Sequence, residues 1–372
     1  MRLPKPHITK DSFFHEVPSS TLSPYPPPYP TTIYFISGNP GLISYYHAFL
    51  SLLGEKLSSE SGSGEKGRGN GFHVVGHSLA GFELEGSNRK ADGEEHYFDV
   101  EEQIQFVLAR LDERMRGLRE TSASASVSNP DSNERPTQKP KVIIVGHSVG
   151  TYMGMEIIRR HRERQAQAQA KAQTEGKQQD DDFDLEFNFD IIGGIMLFPT
   201  IMDIAASPSG QKLTFLLRMI PQLALVASLF VRLLTILFPD SLIRSLIRLV
   251  MRNPPKEALD ATASFIKSKR GVRQALHMAT DEMRVISADK WTDDVWGITS
   301  GQKPPNRMYF YFGRNDHWVA ERTREDIIDL RGKTSGGPKM VVCEESVPHA
   351  FCLRHNETMA GKAARMIAEI LE

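Results

Sequence analysis

Apolar, β-branched runs at 32–36, 72–75, 141–145, 191–198, 307–312 and 339–343 read as short buried strands. Between them, at 45–57, 98–115, 151–158 and 357–371, apolar residues recur every three or four positions, which is the period of a helix with one buried face. Strands alternating with helices in this way predict an α/β fold with a mostly parallel, doubly wound sheet. The alternation breaks between 201 and 299, where only helical spacing is found. A helical insertion there has room to cap the carboxyl edge of the sheet.

The strand at 141–145 runs into Gly146-His147-Ser148-Val149-Gly150 and then into a helix. Gly-x-Ser-x-Gly between a strand and a helix is the sequence of a nucleophile elbow, a turn so sharp that Cβ atoms at Gly146 and Gly150 would crowd it. Ser148 is therefore the expected nucleophile. A serine hydroxyl needs a histidine base, a carboxylate to hold that base, and donors for an oxyanion, and in elbow enzymes the chain order is serine, acid, histidine. Asp316 follows the strand at 307–312, and His349 follows the strand at 339–343. Asp203, after the strand at 191–198, is the alternative acid; His317 and His355 compete with His349. Gly38-Asn39-Pro40-Gly41 lies where an oxyanion loop belongs, and because proline lacks an N–H, the expected donors are the backbone N–H groups of Asn39 and Val149. A second elbow-like string, Gly76-His77-Ser78-Leu79-Ala80-Gly81, comes one β-α unit too early, and no strong apolar helix follows it. Ser78 is expected to support the site rather than react.

Residues 213–251 are too apolar for an ordinary surface cap, yet Arg218, Pro221 and Arg232 interrupt a simple membrane span. Arg244 and Arg248 stand four apart, with aliphatic residues on the other face, which suits a helix lying in a lipid interface. A monotopic anchor is the preferred reading; a cap packed wholly on the core and a true span are the alternatives. Charge adds little: 45 basic and 46 acidic residues leave a formal net charge of −1, and no nucleic-acid footprint appears. Cys343 and Cys352 are the only cysteines and lack metal-ligand spacing, so no metal and no cofactor are expected and a reducing compartment is. The first residues lack the basic start and apolar core of a secretory signal, so export by that route is not expected. Polar, low-complexity stretches near 58–71, 121–140 and 162–182 read as surface loops or a solvated helical extension.

Taken in order, Gly-Asn-Pro-Gly at 38–41, Gly-His-Ser-Val-Gly at 146–150, Leu-Phe-Pro-Thr-Ile at 197–201, Ser-Pro-Ser-Gly at 207–210 and Pro-His-Ala-Phe at 348–351 resemble the lipid droplet-associated hydrolase family over nearly the whole chain. The resemblance implies an α/β-hydrolase fold with a helical, apolar cap. It also implies a serine esterase or lipase acting on neutral-lipid esters such as sterol esters, and attachment to lipid droplets and the endoplasmic reticulum at their cytosolic face. Ser148, Asp316 and His349 match the family's triad positions. Ser37 departs from the His-Gly oxyanion motif of many hydrolases. The expected organisation is a core in two parts, 1–200 and 300–372, around a cap at 201–299 whose lipid-associating segment is 213–251. Two other functions remain open at this stage: a droplet-binding protein with weak or no activity, and a soluble thioesterase or peptidase.

Overall fold

Strands and helices alternate along the chain as the two hydrophobic periods require. In chain order come β1 (His7–Ile8), β2 (Ser12–Val17), β3 (Thr31–Ile36), α1 (His47–Glu60), β4 (Phe72–His77), α2 (Val100–Val127), β5 (Lys141–His147), α3 (Val149–Glu175) and β6 (Asp190–Leu197). Five successive helices then follow, α4 (Pro208–Met219), α5 (Leu223–Leu237), α6 (Asp240–Val250), α7 (Lys256–Lys267) and α8 (Gly271–Val285). The chain closes with β7 (Arg307–Phe312), α9 (Glu321–Ile327), β8 (Lys339–Val342) and α10 (Asn356–Leu371). The structure, a computed structural model, describes residues 3–19, 28–60, 71–84, 96–127, 138–175, 189–298, 307–334 and 336–372. Parts of the stretches at 58–71, 121–140 and 162–182 therefore lie outside the described residues.

All eight strands form one sheet in the order β1-β2-β4-β3-β5-β6-β7-β8, parallel from β4 to β8, with β1 and β2 antiparallel at one edge. That strand order, with an elbow after β5, is the α/β-hydrolase fold. Alternation along β5 divides the core. Val142 and Ile144 pack with Val107 and Leu111 of α2 and Tyr152 and Met155 of α3. Ile143 and Val145 face the other way, toward Phe49 and Leu53 of α1 and Ala363 and Ile367 of α10. All four of these β5 residues are fully buried. Each such side chain stabilises the fold by about 1.5–3 kcal/mol, which is why this strand reads as continuously apolar.

One strand departs from the hydrophobic pattern for a local reason. Strand β2 was not expected, because its inward face is Phe13, His15 and Val17, and a histidine breaks the apolar signal. Burial of His15 is compensated by its Nε2, which lies 3.0 Å from the Pro4 carbonyl. The helix after the elbow runs on to Glu175, so of the two readings of the Gln/Ala-rich run the helical extension holds as far as that residue.

Helices α4 to α6 carry exposed apolar residues that no described part of the chain covers. In α5 no residue is buried, and Phe230, Leu233, Ile236 and Leu237 are exposed. No single helix among the described residues is long and apolar enough to cross a membrane, and α4 and α5 pass that test only as a pair bent by 91°. In α6, Ile243 and Ile247 pack on Leu259 and Ala263 of α7, whereas Leu242, Leu246, Leu249 and Val250 are exposed. Arg244 of α6 pairs with Asp240 of the same helix and Asp260 of α7. Its charge is therefore already matched by protein carboxylates rather than free for a lipid headgroup.

Candidate active site

The elbow hangs from the sheet's own hydrogen-bond ladder. The Ser148 N–H donates to the Leu197 carbonyl at 3.1 Å, and the Phe198 N–H donates to the Tyr311 carbonyl at 2.7 Å, so β5, β6 and β7 continue their pairing into the loops that follow them. Ser148 takes φ 54°, a left-handed conformation that a non-glycine residue adopts only under constraint. A Cβ on Gly150 would fall 2.4 Å from the Ile36 carbonyl oxygen, and one on Gly146 would fall 2.6 Å from the Gly150 oxygen. The two glycines thus let β3, the turn and α3 meet at one point. Ser78 differs on each count: it is not left-handed, and its hydroxyl is buried, donating to Asp11 at 3.3 Å and accepting from the Ile43 N–H.

Ser148, Asp316 and His349 come together, although they follow three different strands. Ser148 Oγ lies 2.9 Å from His349 Nε2, and His349 Nδ1 lies 2.7 and 2.9 Å from the two Asp316 carboxylate oxygens. An ionised carboxylate only accepts, so Nδ1 carries the proton and Nε2 is left as the acceptor for the serine hydroxyl. Asp316 also accepts the Trp318 N–H at 2.8 Å, which holds the acid loop in a tight turn. The Asp316 and His349 side chains are almost wholly buried. Asp203, the alternative acid, makes no such contact; it sits in a left-handed turn at φ 47° that opens a short 3-10 helix. His317 is occupied elsewhere, its Nδ1 2.9 Å from Ser209 Oγ at the start of α4. His355 precedes α10.

The loop after β3 passes directly beside the serine. A Cβ on Gly38 would lie 2.8 Å from Ser148 Cβ. Among the described residues no protein acceptor pairs with the Asn39 N–H, and Val149 is the first residue of α3, where N–H groups lack intrahelical partners. The Asn39 side chain is held from α8: its Nδ2 donates to the Ala275 carbonyl at 2.9 Å and to Glu282 Oε1 at 2.8 Å. Burial, reinforced by the neighbouring Asp281 charge, pushes the Glu282 carboxyl up to about 8 despite that hydrogen bond.

Three residues at the site were not singled out from the sequence. Tyr46 and His147 form a buried chain behind the serine, with Tyr46 Oη 2.8 Å from His147 Nδ1 and His147 Nε2 2.9 Å from the His349 carbonyl oxygen. Burial and the nearby His349 push His147 well below the ordinary histidine range, so it is neutral. No periodic signal separates Tyr46 from a core aromatic. Glu282 had a signal: Gln274, Met278, Asp281 and Glu282 share the buried, helical-spaced face of α8, and polar residues on such a face mark a site or a network.

The model of the lipid-droplet associated hydrolase family matches residues 29–352. Among relatives, the lipid droplet-associated hydrolase of Mus musculus is 24% identical over 340 residues, covering 90% of this chain and 84% of its own length. That of Gallus gallus is 26% identical over 225 residues, covering 59% of this chain and 56% of its own length, so that match spans little more than half of the relative. A solved structure of DBJA, the dbja delta mutant, is 11% identical with a TM-score of 0.50 over 98% of this chain and 99% of that one, a likeness of fold alone. Because the family match runs from the approach to β3 through the elbow and the acid loop to the histidine loop, and takes in most of the length, the chain belongs to the lipid-droplet associated hydrolase family.

Proposed function

We propose that this protein is a serine hydrolase of the lipid droplet surface, cleaving carboxylic esters of neutral lipids of the sterol ester or acylglycerol type. The observation that carries this reading is the continuous set of hydrogen bonds from Ser148 Oγ through His349 to Asp316, with a glycine loop against the serine. In this mechanism His349 Nε2 takes the proton of Ser148 as Oγ attacks the ester carbonyl, and Asp316 stabilises the imidazolium that forms. The oxyanion is received by the N–H groups of Asn39 and Val149, fixed in place before the reaction. The imidazolium then protonates the departing alcohol, and water, activated by the same nitrogen, releases the acid from the acyl-enzyme.

The substrate class rests on the uncovered apolar surface of α4, α5 and α6, within the cap proposed at 201–299. A surface of this kind favours transfer onto a lipid interface by about 25 cal/mol for each Å² removed from water. Attachment is monotopic, on the cytosolic face of droplets and of the endoplasmic reticulum, and delivers the site to esters dissolved in lipid. The names of the relatives, lipid droplet-associated hydrolases, support the droplet part of this placement. The test compares wild type with Ser148→Ala on short-chain esters and on sterol ester and diacylglycerol presented as emulsion droplets. The expected result is turnover by the wild type that falls by about four to six orders of magnitude in the variant. A wild type that binds droplets but turns over none of these esters would instead make this a droplet-binding protein with a hydrolase fold.

A further inference from the structure

Behind Ser148 lies a line of polar groups that the reaction itself does not use. The Gly38 N–H donates to Tyr46 Oη at 3.2 Å, Tyr46 Oη lies 2.8 Å from His147 Nδ1, and His147 Nε2 lies 2.9 Å from the carbonyl oxygen of His349. The proton positions follow from the partners. A carbonyl only accepts, so Nε2 of His147 carries the hydrogen; Nδ1 is then an acceptor, and the Tyr46 hydroxyl must donate to it. That hydroxyl keeps a lone pair for the Gly38 N–H, and the line has one consistent direction from end to end. Both side chains are buried. Burial pushes the Tyr46 phenol well above its ordinary value, and it pushes the neighbouring Cys352 thiol up to about 12, so no charge enters this layer.

Each end of the line touches a separate part of the catalytic apparatus. Gly38 precedes Asn39, His147 precedes Ser148, and the His349 carbonyl belongs to the base. A buried polar pair has no net advantage over apolar packing of the same shape, but it fixes distances and directions that packing does not. Resting on the catalytic reading above, we propose that Tyr46 and His147 are positioning residues: they hold the oxyanion loop, the elbow and the histidine loop in one register, so that His349 Nε2 and the Asn39 N–H reach the same carbonyl together.

The experiment measures kcat, KM and fluorophosphonate labelling of Ser148, with p-nitrophenyl butyrate as the soluble ester, in Tyr46→Phe, His147→Phe, His147→Gln and Ser148→Ala. Phenylalanine at 46 keeps the ring and loses only the hydroxyl. Glutamine at 147 keeps a donor toward the His349 carbonyl, whereas phenylalanine there does not. The expected result is a kcat about tenfold lower in Tyr46→Phe and His147→Phe with KM within about twofold, slower labelling in parallel, and partial recovery in His147→Gln. Melting curves check folding, and Tyr46→Phe decides alone if His147→Phe does not fold. Wild-type kcat and labelling in folded Tyr46→Phe, or equal losses in the Gln and Phe variants at 147, would overturn the positioning role while leaving the triad intact. Ser148→Ala with wild-type turnover, or a wild type that is neither active nor labelled, would instead overturn the catalytic reading on which it rests.

Discussion

A left-handed backbone at Ser148 costs about 1–3 kcal/mol, and it persists because the ladder to Leu197 and the close passage of β3 leave the turn no alternative. The nearest obstacle to relaxation is the Ile36 carbonyl beside Gly150, a backbone atom that cannot swing aside. Gly150→Ala is accordingly expected to lower stability by about 1–3 kcal/mol or more, visible as an earlier midpoint in urea, together with loss of activity. An unchanged midpoint would show that the corner has room. Asp316 has a different role, because its removal disturbs proton placement rather than packing. Asp316→Asn can present an N–H to His349 Nδ1 and so favour the wrong tautomer; kcat on a soluble ester should fall by about 10⁴ with the fold retained. A loss smaller than about tenfold would point to another acid, with Asp203 the first to examine.

At the scale of elements, α8 holds the loop after β3 through Asn39, and α5 presents an exposed apolar face. The Glu282 carboxyl, shifted upward from 4.5 to about 8, holds its proton in the folded chain over a range where the unfolded chain has released it. Folded protein then binds the extra proton, so this residue's contribution to stability declines as pH rises from 4.5 toward about 8 and levels off above. Glu282→Gln keeps an oxygen for Asn39 and removes the titration. The variant should gain stability relative to wild type as pH is raised from about 5 to about 8, measured by urea denaturation at each pH, and a constant difference would contradict a neutral carboxyl. On α5, Leu233 and Ile236 are 53% and 73% exposed, so most of their surface faces away from the rest of the fold. Leu233→Glu with Ile236→Glu should leave stability within about 0.5 kcal/mol per site while lowering binding to phospholipid-coated oil droplets by more than about tenfold. Undiminished droplet binding would move the lipid contact away from this helix.

On the scale of the whole molecule, parallel strands do the assembling. β3, β5, β7 and β8 all point their carboxyl ends to one rim, and the loops leaving those ends carry Asn39, Ser148, Asp316 and His349. Ligand and reaction sites belong at that rim in an open parallel sheet. Much of this was legible in the sequence, because a strand buried on both faces has to be apolar throughout and because an elbow tolerates only glycine at its two tightest points. Strand β2 was hidden by inward His15, whereas the helical extension of α3 was one of two readings of its polar run, settled by partners far along the chain: Arg162 pairs with Asp294, Arg164 with Asp112, and the Gln165 side chain donates to the Phe189 carbonyl. The sequence by itself determined the α/β alternation, the elbow at Ser148, the order serine, acid, histidine, and an apolar stretch too long for ordinary burial, since each of these depends on local spacing and residue type. Only the tertiary structure decided that Asp316 rather than Asp203 meets His349, that Tyr46 and His147 link three loops, and that the outer face of α5 is left exposed. Those are distances between residues far apart in the chain, set by how the strands pair and how the cap lies on the rim, and no local pattern encodes them.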